Sequence, residues 1–126
     1  MIHLDSNLLI ALADAADPHR ADALRLMQSM PQAAVSSLVW WEFECGPVTA
    51  EGLAMLRIIL PGGIIPFGAQ EAAEAARLFN VVGRSRRFKF DSLIAATAIL
   101  AGAELATANP GDFQAFVPHG LRLHQW

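Results

Sequence analysis

Residues 91–101, DSLIAATAILA, constrain this chain more than any other stretch. One charge, Asp91, stands at the start, and Ala95, Ala96, Ala98 and Ala101 permit close approach from several sides. A helix that is apolar on nearly every side must be covered all round, so it belongs at the centre of a fold. The remaining segments show what covers it. MIHL reads as a strand and SNLLIALAD as a helix. DPHRADALRLMQSMP reads as a second helix, with Asp17 as N-cap, Pro18 at the first helical position and Pro31 just past the end. QAAVSS is a strand, and LVWWEFECG a helix stopped by Gly46-Pro47. TAEGLAMLRIIL is a helix ended by Pro61-Gly62-Gly63, and GIIPF a strand. AQEAAEAARLFNVV is a helix with Glu71, Glu74 and Arg77 on its wet side and Gly83 beyond it. After the central helix, ended by Gly102, come the strand ELATA, the helical turn NPGDFQAF and the strand LRLH. The alternation predicts an α/β fold, three-layered α/β/α, with a mostly parallel sheet covered on both faces. The length, 126 residues, predicts a single domain over 1–126.

Composition narrows the functional classes. A hydrophobic fraction of 54% and a mean hydropathy of +0.37 predict a filled core with apolar surface left over for a partner. Arg57, Pro61 and Glu104 interrupt every apolar run before the roughly 18 residues of a membrane span. Asp5 precedes the first apolar run and no basic segment leads it, so no signal peptide is expected. A single cysteine, Cys45, excludes an internal disulfide and a cysteine-based zinc site, and a cytoplasmic protein is expected. There is no glycine-rich nucleotide-binding motif. The four histidines, His3, His19, His119 and His124, form no acid–base pair at a suggestive spacing and read as surface or strand residues. The net charge of −3 does not favour nucleic acid, yet Arg84, Arg86, Arg87 and Lys89, four of the nine cationic residues, fall within six positions just before Asp91.

The acidic residues carry the chemistry. In parallel α/β folds, sites gather at the carboxyl ends of strands. Asp5 follows a strand directly, where it also serves as an N-cap. Asp91 opens the central helix, again at a cap position. Asp112 lies in TANPGDF, where Asn109 is the N-cap and Pro110 takes the first helical position. Glu42 lies mid-helix with Leu38, Val39, Cys45 and Gly46 at its i±3 and i±4 positions, an apolar stripe on which a buried carboxylate needs a partner. Glu44 has apolar neighbours too, including Trp40 and Trp41, and the local pattern does not choose between the two glutamates. An oxygen-only set at strand exits suits a hard divalent cation, Mg²⁺ or Mn²⁺. Without one, two carboxylates about 4 Å apart repel by about 4 kcal/mol at an effective dielectric of 20. A phosphatase of the haloacid-dehalogenase type, with Asp5 as nucleophile, would need a second aspartate at position 7, which is Asn7.

Four pieces in order, LDSNLLIAL, SSLVWWEFECG, FDSLIAATAIL and TANPGDF, resemble the PIN domain and, within it, the VapC-like toxin ribonucleases of toxin–antitoxin pairs. The resemblance covers nearly the whole chain. Its E-x-x-x-G segment selects Glu42 over Glu44. It implies a five-stranded sheet of order 3-2-1-4-5 and Mg²⁺ or Mn²⁺ held by Asp5, Glu42, Asp91 and Asp112. It further implies hydrolysis of RNA phosphodiesters to 5′-phosphate and 3′-hydroxyl ends, with Ser6, Thr107 and Asn109 as supporting polar positions. Arg84, Arg86, Arg87 and Lys89 would then grip a structured RNA that the carboxylates alone would repel. The family also implies a homodimer and a small antitoxin, whose arginine would compete with metal for the carboxylates. Trp40 and Trp41 point about 100° apart on a helix, which leaves one for the core and one for a partner. A non-catalytic PIN-like module that binds RNA or protein is the alternative.

Overall fold

The computed structural model describes residues 1–30 and 32–126. The expected helix stop at Pro31 lies outside the described residues. Five strands form one sheet: β1 (Ile2–Leu4), β2 (Ala33–Ser36), β3 (Gly63–Ile65), β4 (Glu104–Ala106) and β5 (Arg122–Leu123). Their order is β3-β2-β1-β4-β5, and all four pairings are parallel. The order is the one the family resemblance implied. The expected final strand LRLH shortens to two residues at the sheet's edge.

Between β1 and β2 run α1 (Ser6–Ala13) and α2 (Arg20–Ser29). Between β2 and β3 run α3 (Ser37–Glu44) and α4 (Ala50–Ile59), and between β3 and β4 run α5 (Ala69–Val81) and α6 (Lys89–Leu100). α1 packs on α2, α3 and α4, while α5 packs on α6. The chain builds outward from β1 through β2 to β3, then crosses back to β4 on the other flank of β1. The carboxyl ends of β1 and β4 therefore border the point where the winding reverses, which is where a parallel sheet opens a crevice.

Burial follows the strand composition. All of β1 and β2 is buried, as central strands require, and β3 is only half-buried. Ile2, Leu4, Leu8, Leu9, Leu12, Leu56, Leu78 and Leu105 form the core with Phe113 and Phe116. α6 is covered almost all round: Ser92 through Thr97 includes five buried residues, and Ala98 is buried as well. Gly62 permits the turn into β3, because a Cβ there would lie 2.7 Å from Ala34 Cβ and 2.8 Å from Ala33 O. No helix among the described residues is long and apolar enough to cross a membrane.

Two helix starts differ from expectation. α2 begins at Arg20 rather than at Pro18. Asp17 instead closes a turn, its Oδ1 accepting from His19 N at 2.8 Å. α6 begins two residues before Asp91, because the 3₁₀ turn Arg86–Phe88 runs straight into it. Asp91 is thus the third helical residue and not the N-cap. There it complements the helix dipole but caps nothing.

Candidate active site

Asp5 leaves β1 in extended conformation (φ −79°, ψ 163°) and caps α1, its Oδ1 accepting from Ser6 N at 2.8 Å. Its other oxygen is held from across the crevice. Thr107, the residue after β4, donates its hydroxyl to Asp5 Oδ2 at 2.8 Å. Asn7 donates its amide to the same oxygen at 3.2 Å. Asp5 is 7% exposed and Thr107 4%, so these bonds do not compete with bulk water. Burial raises the Asp5 pKa above the ordinary aspartate range, the bonds from Thr107, Ser6 and Asn7 oppose that rise, and the Asp112 charge adds to it.

The other three carboxylates lie near enough to interact with Asp5 through their charges. Asp91 is pushed up to about 6, first by burial and then by the charges of Asp5, Asp112 and Glu42. That one group feels all three others places the four acids in a single electrostatic neighbourhood, although they come from four separate parts of the chain. Glu42 is raised by burial and by Asp5, with the Ser6 hydroxyl acting against the rise. Glu42 is nonetheless an exposed residue and not a core one. α3 turns Val39, Trp40 and Phe43 inward. Glu42 flanks that face, on the rim of an open cleft of about 530 Å³ shared with Ser6, Ile10 and Phe43. Glu44 is exposed. Asp112 ends the 3₁₀ turn Pro110–Asp112 and is exposed.

The supporting residues sort differently from expectation. Ser6 and Thr107 touch Asp5. Asn109 makes no side-chain cap, and contributes through its main chain, its N–H donating to Thr107 Oγ1 at 3.1 Å. The side-chain amide that matters belongs to Asn7. It donates to Asp5 and, at 3.3 Å, to Thr107 Oγ1, and its Oδ1 accepts from Ala108 N at 3.1 Å. The sequence signal was available: an amide two residues after a capping aspartate at a strand exit is placed to bond that aspartate.

The basic cluster occupies the connection from α5 to α6. Arg84, Arg86, Arg87 and Lys89 are exposed. Among the described residues, none of the four forms an ion pair. Cations at the start of a helix oppose its dipole, so nothing in the stability of α6 accounts for them. The loop is pinned from below by Phe88, edge-on to Phe116 at 5.5 Å, and by Phe90, 6.1 Å from Trp41. Trp40 is the core member of the tryptophan pair, whereas Trp41 is 59% exposed.

Among the described residues no three His, Cys, Asp or Glu side chains close into a group able to hold a metal. The donor set still fits a hard divalent cation. It is oxygen-only, and neighbouring acid charges add to burial in raising the pKa values of Asp5, Glu42 and Asp91, a repulsion that a bound cation would relieve.

Fold and site together define an α/β protein whose acidic crevice lies at the reversal point of a parallel sheet. The family model of the PIN domain matches residues 2–116, and the chain belongs to that family. Solved structures agree along the full length. The VapBC2 complex of Rickettsia felis bound to a promoter DNA fragment aligns at 25% identity and TM-score 0.72, over 100% of this chain and 99% of that one. A toxin–antitoxin complex from Klebsiella pneumoniae aligns at 28% identity and TM-score 0.71, over 90% of each chain. VapC20 of Mycobacterium tuberculosis, a sarcin–ricin-loop-cleaving toxin, shares the fold at 24% identity and TM-score 0.69, over 91% of this chain and 94% of that one. No curated protein matches the sequence.

Proposed function

We propose that this PIN domain is the toxin ribonuclease of a toxin–antitoxin pair, a cytoplasmic endoribonuclease that depends on Mg²⁺ or Mn²⁺. One observation carries the reading: Asp5, buried at the carboxyl end of β1 with both oxygens held by Ser6, Asn7 and Thr107, lies within charge-interaction range of Glu42, Asp91 and Asp112. A structural cap would need one carboxylate, whereas a set of four repelling acids is relieved by a positive partner, of which a divalent cation is the one that supplies hydrolytic chemistry. Likeness to toxin–antitoxin complexes supports the biological setting.

Asp5, Glu42, Asp91 and Asp112 would hold one or two divalent ions, directly or through water. When bound, such an ion lowers the pKa of a water and offsets charge on a scissile phosphate. The chain's own residues supply order. Thr107, Ser6 and Asn7 fix both oxygens of Asp5, so that side chain has no rotamer freedom left to lose. Arg84, Arg86, Arg87 and Lys89 present exposed cations beside the acids and hold the phosphates of a structured RNA. The apolar surface left outside the core, with Ile58 81% and Trp41 59% exposed, supports a homodimer and an antitoxin.

The experiment is cleavage of a mixture of structured RNAs with Mn²⁺ or Mg²⁺, comparing the wild type with Asp91→Asn. The expected result is metal-dependent cleavage by the wild type and loss of at least about a hundredfold in the variant. RNA bound without turnover by the wild type would identify a non-catalytic module instead.

A further inference from the structure

Trp126 belongs to no strand or helix, yet it reaches the site's supporting loop. Its indole N–H donates to the main-chain carbonyl of Thr107 at 3.0 Å. On the other side of its ring lies His19, at a centroid distance of 6.1 Å and a tilt of 58°, next to the start of α2. The carbonyl it holds belongs to the peptide between Thr107 and Ala108. The N–H of that same peptide donates to Asn7 Oδ1 at 3.1 Å. A peptide unit is planar, so bonds to its two ends together fix its rotation. That rotation sets where the next peptide lies, and its Asn109 N–H donates to the Thr107 hydroxyl at 3.1 Å, holding the hydroxyl that donates to Asp5 Oδ2 at 2.8 Å.

Little else backs the loop. Ala108 is half-buried, and Asn109 and Pro110 are exposed. A cavity of about 330 Å³ lies beside it, lined by Thr107, Ala108, Pro110, His19 and Trp126 among others. Packing holds this peptide on the buried Thr107 side, and on the Ala108 side its hydrogen bonds carry more of the restraint.

We propose that Trp126 is a positioning residue for the acidic site, acting through the Thr107 carbonyl to aim the Thr107 hydroxyl at Asp5. The kinetic half of its test rests on the ribonuclease reading, and the exchange half does not.

Trp126→Phe keeps an aromatic ring and removes the donor along with some ring area. In the protein without RNA, hydrogen exchange at the Ala108 and Asn109 amides is expected to quicken about fivefold in the variant, with the β1 and β4 amides unchanged. Unchanged exchange at Ala108 and Asn109 overturns the proposal. In the RNA assay, Trp126→Phe is expected to lower kcat about fivefold with KM unchanged. In a Thr107→Val background, where there is no hydroxyl left to aim, the same substitution is expected to change kcat less than about twofold. An equal loss in both backgrounds overturns the proposal, since Trp126 would then act on general stability. If the wild type cuts no RNA, the ribonuclease reading fails and the exchange measurement decides alone.

Discussion

Asp91 and His3 hold opposite signs of electrostatic debt, and both can be read by titration. Asp91 is raised to about 6, so the folded protein takes up its proton more readily than the unfolded chain does. The resulting stability is full below the ordinary aspartate pKa and is lost as pH rises through about 6. Because Asp91 is partly exposed, solvent screening limits the effect to about 1–2 kcal/mol. We expect Asp91→Asn to raise the metal-free melting stability by about 1 kcal/mol at pH 8, with the gap closing by pH 4, as thermal unfolding across pH would show. His3 behaves the other way. It is 2% exposed, neither ring nitrogen has a partner among the described residues, and its pKa is lowered to about 4, first by burial and then by the N-terminal charge. A depressed histidine contributes stability above its ordinary pKa of 6.5 that is lost as pH falls toward about 4. The loss is about 3 kcal/mol at most. His3→Leu is expected to flatten stability between pH 7 and 4 relative to wild type. The two effects run oppositely over one pH range, so only the paired variants separate them.

At the level of elements, the connections are more constrained than the helices they join. Gly62 has no room for a Cβ against Ala33 and Ala34, so Gly62→Ala should cost about 1–3 kcal/mol in chemical denaturation, with an unchanged m-value. Arg84 sits at φ 60°, the left-handed region, directly after Gly83 at φ 94°. Its N–H donates to Phe79 O at 2.9 Å and closes the end of α5. Arg84→Gly should therefore stabilise the fold by about 0.5–1 kcal/mol while removing one cation from the basic loop. The helices and strands themselves were legible, because hydrophobic period and Gly/Pro punctuation act locally. The errors fall at helix starts. Asp17 and Asp91 are good capping residues by type, but a competing turn claimed the first and an upstream 3₁₀ turn overran the second. The apolar neighbours of Glu42 and Glu44 leave open which of them faces inward, and both are exposed. Which side of α3 faces inward is decided by Trp40 and Phe43 packing in three dimensions, and the stripe containing Glu42 lost. The Asn7 bond to Asp5 is local, but the bonds of Asn7 with Ala108 and of Trp126 with Thr107 span 101 and 19 positions, which no local pattern encodes.

For the whole molecule, charge separation matters more than net charge. An acidic crevice and a cationic loop lie side by side on a chain of net charge −3. Neutralising Arg86 and Arg87 together should weaken RNA binding and reduce the slope of log affinity against log salt by roughly 1.5. Filter binding at four or more ionic strengths measures it, and an unaltered slope would remove these residues from the interface. The sheet order explains why the acids were recognisable only as a set. Each has an adequate local role, and their meeting depends on β4 returning to the far side of β1.

That return has a consequence for how such a protein is made. β1 emerges from the ribosome well before β4, so Asp5 gains its Thr107 bond only after about a hundred further residues have been translated. A nascent chain that stops short of Asp112 carries an incomplete set of acids and a half-built sheet. Under the proposed ribonuclease reading, the site is complete only once Asp112 has been translated.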